Sequence, residues 1–260
     1  MILDDIVANK REELTFQKQQ VSLGQLQDMP LFHSQPPGLF QALSTWNGRA
    51  IIAEVKKASP SKGVIRQDFN PLALARSYEA SGAAAISVLT EKKFFQGSLD
   101  YLKQIRQQVA LPLLRKDFVF DDYQVYEARA HGASAILLIV AILEDDQLQD
   151  LMHLAQTLKI DCLIEVHDEV ECERALAHGV SLLGINNRDL RTFHTTIETS
   201  ERLVQGLPSD VLVVSESGLS ARHQLDQLEA QGVRAFLIGE TFMAAPDPGA
   251  PLRSLLGHPT

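Results

Sequence analysis

Two amines and two carboxylates stand at the polar ends of apolar runs in this chain. They are Glu54 and Lys56 in Ile51-Ile-Ala-Glu-Val-Lys-Lys, Lys116 in Leu114-Arg-Lys-Asp-Phe and Glu165 in Leu163-Ile-Glu-Val-His. A lysine desolvated beside another cation has a lowered pKa and can serve as proton donor or Schiff-base nucleophile. A carboxylate in the same site can take or return protons. Side chains alternate along a strand, so Glu54 and Lys56 share the face of Ile52, while Ala53 and Val55 face the other way. The same parity groups Lys116 and Phe118 with Leu114, Glu165 with Leu163, and Asn186 with Arg188. In Ser215-Glu-Ser-Gly it is left open, because the strand could already have ended. A structural ion pair would explain Glu54 and Lys56 alone. Four strands aiming charged or amide groups at one rim favour a site, since each buried charge needs a partner or a charged ligand.

Phosphate is the natural guess for part of that ligand. Ser217-Gly218-Leu219-Ser220 and Gly239-Glu240-Thr241 place glycines where backbone amides can approach an anion. Ser59-Pro60-Ser61-Lys62-Gly63 is a loop with a cation, Lys62, placed to close over it. His131 and His178 sit at helix ends and read as caps. His167, two residues beyond Glu165, stays a candidate. Cys162 and Cys172 form no zinc pattern, so no metal is expected, and so sparse a count fits a reducing compartment.

The elements that must position these groups are short β-branched runs: Ile51–Val55, Ala85–Leu89, Leu111–Leu114, Ala135–Val140, Cys162–Val166, Leu182–Ile185, Val211–Val214 and Ala235–Ile238. They read as strands buried on both faces. Helical spacing lies between them, as in Leu148, Leu151, Leu154, Ala155 and Leu158, and Asn70-Pro71 opens another helix. Gly82, Gly132, Gly179 and Gly232 each follow a helix end, at spacings of 50, 47 and 53 residues. Two strand–helix units per interval, repeated around eight strands, predict a closed (β/α)8 TIM barrel. A doubly wound open sheet also alternates strand and helix, but no GxGxxG follows the first strand. Residues 1–46 are expected to form an N-terminal helical extension packed on the barrel, with Leu3–Phe16 helical and Pro30, Pro36, Pro37 and Gly38 in a loop. The whole of 1–260 then reads as one barrel domain.

Composition bounds the partners. The chain is 260 residues, 45% hydrophobic and 22% charged, with 24 basic and 33 acidic residues for a net charge of −9. That field discourages nucleic acid and anionic membranes. The start lacks the basic and apolar regions of a signal peptide, and Ala135–Leu143 is too short to span a bilayer. A cytoplasmic address is expected. After Met243 the chain reads as too short for a fused second enzyme.

At this point the residues resemble a known family. Ile51-Ile-Ala-Glu-Val-Lys-Lys-Ala-Ser-Pro-Ser-Lys-Gly is similar to the signature of indole-3-glycerol phosphate synthases. The resemblance continues through Ser87-Val-Leu-Thr-Glu, Phe95-Gln-Gly-Ser, Leu114-Arg-Lys-Asp-Phe, Leu163-Ile-Glu-Val-His, Gly184-Ile-Asn-Asn-Arg-Asp-Leu, Ser215-Glu-Ser-Gly and Ile238-Gly-Glu-Thr-Phe-Met. It implies a cofactor-free lyase of tryptophan biosynthesis. Its substrate would be 1-(2-carboxyphenylamino)-1-deoxyribulose 5-phosphate, and its products indole-3-glycerol phosphate, carbon dioxide and water.

By that resemblance Lys116 is the general acid at the ribulose carbonyl. Lys56 and Glu165 are candidates for the later dehydration step, and Glu54 takes a proton or orients the lysines. Asn186, Glu216 and Ser217 complete the polar site. Arg188 and Ser59 hold the carboxylate end, and Pro60, Leu89, Phe95, Phe118 and Leu137 form the aryl pocket. Lys56, Gly218, Gly239 and the amide of Glu240 hold phosphate. Family members often carry serine where Glu240 stands, and a carboxylate there would repel phosphate unless it points away. Some also differ at Asn187, which parity places off the inner face. A phosphoribosyl isomerase barrel would share only the phosphate loops. A silent barrel that binds a sugar phosphate is the rival from another class. Association with other tryptophan-pathway enzymes is left open.

Overall fold

The computed structural model describes residues 2–190 and 192–257. Its core is a closed, all-parallel barrel of eight strands in chain order: β1 Ala50–Val55, β2 Ala85–Leu89, β3 Leu113–Lys116, β4 Ala135–Ile139, β5 Asp161–Val166, β6 Leu182–Asn186, β7 Leu212–Glu216 and β8 Ala235–Ile238. β8 pairs with β1 through Ala50–Ala235 to Ala53–Ile238, which closes the ring. A closed ring leaves no strand edge unpaired, and that suits strands buried on both faces.

The alternation divides the apolar residues into two layers. Ile52, Leu114, Leu137, Leu163, Val214 and Leu237 pack inside the barrel. Ile51, Ala53, Val55, Ile136, Ile164 and Ile185 pack between the strands and the helices. The helices are α1 Ile2–Gln20, α2 Leu23–Gln27, α3 Leu39–Ser44, α4 Pro71–Ala80, α5 Leu99–Arg106, α6 Asp122–Ala130, α7 Asp145–Thr157, α8 Glu169–Ala177, α9 Glu198–Val204, α10 Arg222–Ala230, α11 Glu240–Met243 and α12 Gly249–Leu256. Asn70 caps α4 by accepting from the Ala73 amide at 3.0 Å, with Pro71 at the first helical position. Gly82, Gly132, Gly179 and Gly232 take φ of +92°, +83°, +69° and +109°, so each reverses the chain in the left-handed conformation that costs glycine nothing.

Several strand boundaries differ from the sequence expectation: β1 and β5 start one residue earlier, at Ala50 and Asp161, β6 ends one residue later, at Asn186, and β7 begins at Leu212, not Val211. β3 begins at Leu113, not Leu111, and runs on through Arg115 and Lys116. β7 runs on through Ser215 and Glu216. In both, the backbone ladder carries the strand past the end of the apolar run, with Leu89 beside Lys116 and Leu237 beside Glu216. β4 stops at Ile139, because Val140–Ile142 forms a 3-10 turn.

The N-terminal segment is also more ordered than the expected helix and loop. α1 extends to Gln20, Pro30 opens a 3-10 turn, and Gly38 is the N-cap residue of α3. Leu39 and Leu43 of α3 fill the barrel interior at the strand N-termini, and the Phe40 amide donates to Asp161 at the start of β5 (2.9 Å). The extension therefore closes the barrel's bottom. At the other end Ile2, Leu3 and Ile6 of α1 line a cavity.

Candidate active site

A cavity of about 730 Å³ opens at the C-terminal ends of the strands. Every residue assigned to the site from the sequence lines it, while the candidate His167 lies behind Glu165 and does not. β1 and its loop supply Glu54, Lys56, Ser59 and Pro60. Leu89, Phe95, Phe118 and Leu137 come from the β2–β4 side. Glu165, Asn186, Arg188, Glu216, Ser217 and Gly218 come from β5 to β7, and Gly239 and Glu240 follow β8. Strand twist and closure do this: the last inward position of each strand meets the others at one rim.

Lys116 sits at the centre. Its Nζ donates to Glu165 Oε2 at 2.7 Å and to Glu216 Oε2. Burial alone would lower this amine, but Glu165, Glu216 and Glu54 outweigh it and hold its pKa well above that of an ordinary lysine. This corrects the sequence reading. The amine is not a desolvated neutral nucleophile beside another cation but an ammonium among carboxylates. It can donate a proton, and a Schiff-base role has no support.

The two carboxylates on Lys116 are pushed apart. Burial favours the neutral acid in both. At Glu165, Lys116 and His167 overcome it and hold the group well below the carboxylate range. At Glu216, burial prevails over Lys116, Glu165 and Glu54 add repulsion, and the pKa rises to about 7. Such a split assigns different proton roles to like groups. The open parity in β7 is settled too: Glu216 points inward, and Ser215 turns outward to Asn187 and Ser200.

Elsewhere on the rim, Lys56 pairs with Glu54 at 2.5 Å. Asn186 donates to Glu165 Oε1 at 3.2 Å and accepts from the Arg188 amide at 3.0 Å. The Glu240 carboxylate bridges Lys62 (3.4 Å) and Arg188 (3.3 Å) across the mouth, so it is occupied by cations. Phe95 and Phe118 lie 6.2 Å apart, tilted by 41°, as one apolar wall.

After β7 the chain takes φ of +67° at Ser217 and +74° at Gly218. Left-handed backbone at a non-glycine residue is strained, and Asn187 helps fix it by donating to the Ser217 carbonyl at 3.0 Å. Asn187 does lie behind the sheet, where parity put it, and it supports the site from there.

Several contributors escaped the sequence reading. Ile2, Leu3 and Ile6 line the cavity from α1, and Phe193, His194 and Thr195 line it from the loop after β6. Glu91 is fully buried and accepts from the amides of Lys93, Phe94 and Phe95, which fixes the turn carrying Phe95. Gly184 leaves room for Glu216, and Gly239 leaves room for Glu54. A Cβ at either would strike the carboxylate. Of these, Gly184 carried a signal in the sequence, since glycine inside a strand marks close approach, and Gly239 is already singled out there as a phosphate contact.

A family model described as indole-3-glycerol phosphate synthase matches residues 3–255. The indole-3-glycerol phosphate synthase of Acidithiobacillus ferrooxidans is 49% identical over 257 residues, covering 98% of each chain. That of Acetivibrio thermocellus is 50% identical over 248 residues, covering 94% of this chain and 95% of its own. Among solved structures, thiamine phosphate pyrophosphorylase from Pyrococcus furiosus superposes with a TM-score of 0.59 at 16% identity, over 80% of this chain and 93% of that one. That likeness speaks to the barrel alone.

Proposed function

Since the chain belongs to the indole-3-glycerol phosphate synthase family, we propose that Lys116, held between Glu165 and Glu216, is the acid that drives its ring closure. The reaction is the carboxy-lyase conversion of 1-(2-carboxyphenylamino)-1-deoxyribulose 5-phosphate to indole-3-glycerol phosphate, carbon dioxide and water. The observation that carries the residue assignment is the ammonium of Lys116 at the focus of the carboxylates, beside an apolar wall.

The aryl ring lies against Pro60, Leu89, Phe95, Phe118 and Leu137. As its ortho carbon attacks the ribulose carbonyl, charge builds on that oxygen, and Lys116 supplies the proton. Loss of carbon dioxide then restores the aromatic ring, aided by an apolar slot that strips water from the carboxylate. Dehydration needs a second proton donor, a role Lys56 takes with Glu54 fixing it, while Glu165, held as a carboxylate, accepts the proton released in that step. Asn186 and Ser217 orient the polar groups. Arg188 and Ser59 face the carboxylate end. Lys56, Gly218, Gly239 and the Glu240 amide take the phosphate, the Glu240 side chain being drawn off by Lys62 and Arg188.

No cofactor enters this scheme. Among the described residues no helix is long and apolar enough to cross a membrane. A cytoplasmic enzyme without nucleic-acid partners, working as one barrel with its N-terminal helices, fits the charge of −9. The test is to offer the purified protein the aminodeoxyribulose phosphate and follow indole fluorescence. Indole formation is expected. Substrate bound with no indole formed would favour the silent sugar-phosphate barrel.

A further inference from the structure

His167 follows β5 and is not needed by any step above. Its ring is nevertheless among the most constrained at the site. Nδ1 lies 2.9 Å from Glu171 Oε2, and the same oxygen accepts the His167 backbone amide at 2.8 Å. Glu171 itself sits in the first turn of α8, where its own amide donates to the capping Asp168 at 2.9 Å. One carboxylate on a capped helix therefore fixes both the backbone and the ring of His167.

With Nδ1 held, the other nitrogen has one place to point. Nε2 is buried, makes no well-formed hydrogen bond and lies 3.4 Å from Glu165 Oε1. That oxygen already receives Asn186, while Oε2 receives Lys116. The charged groups facing the ring are Glu165 from β5 and Glu171 from α8. Beyond Glu165 stand Lys116 from β3, Glu216 from β7 and Glu54 from β1. An imidazole between two carboxylates is driven to carry both protons, because each nitrogen then donates to an anion.

We propose that His167 is a positioning residue: clamped by Glu171, its doubly protonated ring holds Glu165 as a carboxylate aimed at Lys116. Burial works against that charge, but Glu165 and Glu171 raise the imidazole pKa to about 10. The cation keeps the Lys116 proton from being shared with Glu165, so the ammonium remains the donor. Without it, three glutamates surround one lysine, and a proton of uncertain residence would sit where the ketose must bind. The inference rests on Glu165 and Lys116 acting as proposed above.

Two measurements on the full chain test it. In protein labelled with 15N-histidine, the ring signal lost in His167→Gln should show both nitrogens protonated at about pH 8, where an ordinary imidazole is neutral. In Glu171→Gln, whose side chain bonds His167 and does not line the cavity, that signal should move toward the neutral form. Removing a cation this close shifts a carboxylate by about 1–3 pH units, so kcat should fall about tenfold or more in both variants, with KM within about twofold. If His167→Gln does not fold, Glu171→Gln carries both readouts. A neutral ring at pH 7 in the wild type, or unchanged kcat in Glu171→Gln, overturns the proposal. If the wild type forms no indole, the functional reading falls, and the nitrogen spectrum still decides for or against the clamp.

Discussion

Lys10 of the N-terminal helix and Asp117, the residue after Lys116, form a buried ion pair at 2.9 Å. Asp117 also accepts from Arg115 at 3.1 Å and from Thr90, and Arg115 reaches on to Glu127 at 2.8 Å. The extension is thereby wired to the strand that carries the central amine. Burial would raise Asp117, but Lys10, Arg115 and Thr90 outweigh it and hold its pKa down at about 2.

Lys10→Met should therefore do two things. Removing one partner of a buried pair costs about 3 kcal/mol, read as a lower midpoint in urea. It should also lower kcat, since Asp117 adjoins Lys116. The stability that Asp117 contributes is present above its unfolded pKa and is lost as pH falls from about 4 toward about 2. Acid unfolding of the variant should start at higher pH. Unchanged stability and unchanged kcat would disconnect the extension from the site.

Lys116→Ala should abolish detectable turnover, a loss on the order of 10²–10⁴ for a positioned acid, with only a modest loss of substrate binding measured by titration. Near-normal turnover would remove Lys116 from the acid role.

Arg188 and Glu240 should respond in opposite senses. Arg188→Ala should mainly raise KM. Glu240→Gln should lower KM, because Arg188 and Lys62 then lose a competing anion at the mouth. Steady-state kinetics at low ionic strength reads both, and an unchanged KM in Arg188→Ala would argue against carboxylate recognition.

Glu216 sets a stability slope at neutral pH. Its folded pKa of about 7 lies above the unfolded value near 4.5, so the folded state keeps a proton that the unfolded chain has shed. Stability then falls as pH rises between those values. Glu216→Gln removes that slope, so denaturation at pH 5 and pH 8 should show the variant gaining on the wild type at the higher pH. A constant difference would mean that Glu216 ionises normally.

The barrel was legible because strands buried on both faces cannot hide: each is an apolar run, and Gly82, Gly132, Gly179 and Gly232 each mark a helix end. The inward row was legible because strand parity is strict, so Glu54, Lys116 and Glu165 fell on the faces of Ile52, Leu114 and Leu163. Strand ends were not, because a paired charge such as Arg115 or Lys116 continues a ladder that hydrophobicity alone would stop. Lys10, Glu91 and Glu171 were also out of reach. Their roles come from contacts with residues that no periodicity relates, including Asp117, 107 positions downstream of Lys10 by number. The charge state of Lys116 was misread for the same reason, since its carboxylate neighbours lie on other strands.

α3 seals the strand N-termini, so the described barrel has one doorway. Substrate enters and three products of very unequal size depart through the same gap, past the tie between Lys62, Glu240 and Arg188. Carbon dioxide and water are small enough to slip out early, whereas release of the indole phosphate is expected to require that tie to part. Turnover in a viscous solvent should then slow in proportion to the drag on the departing ester.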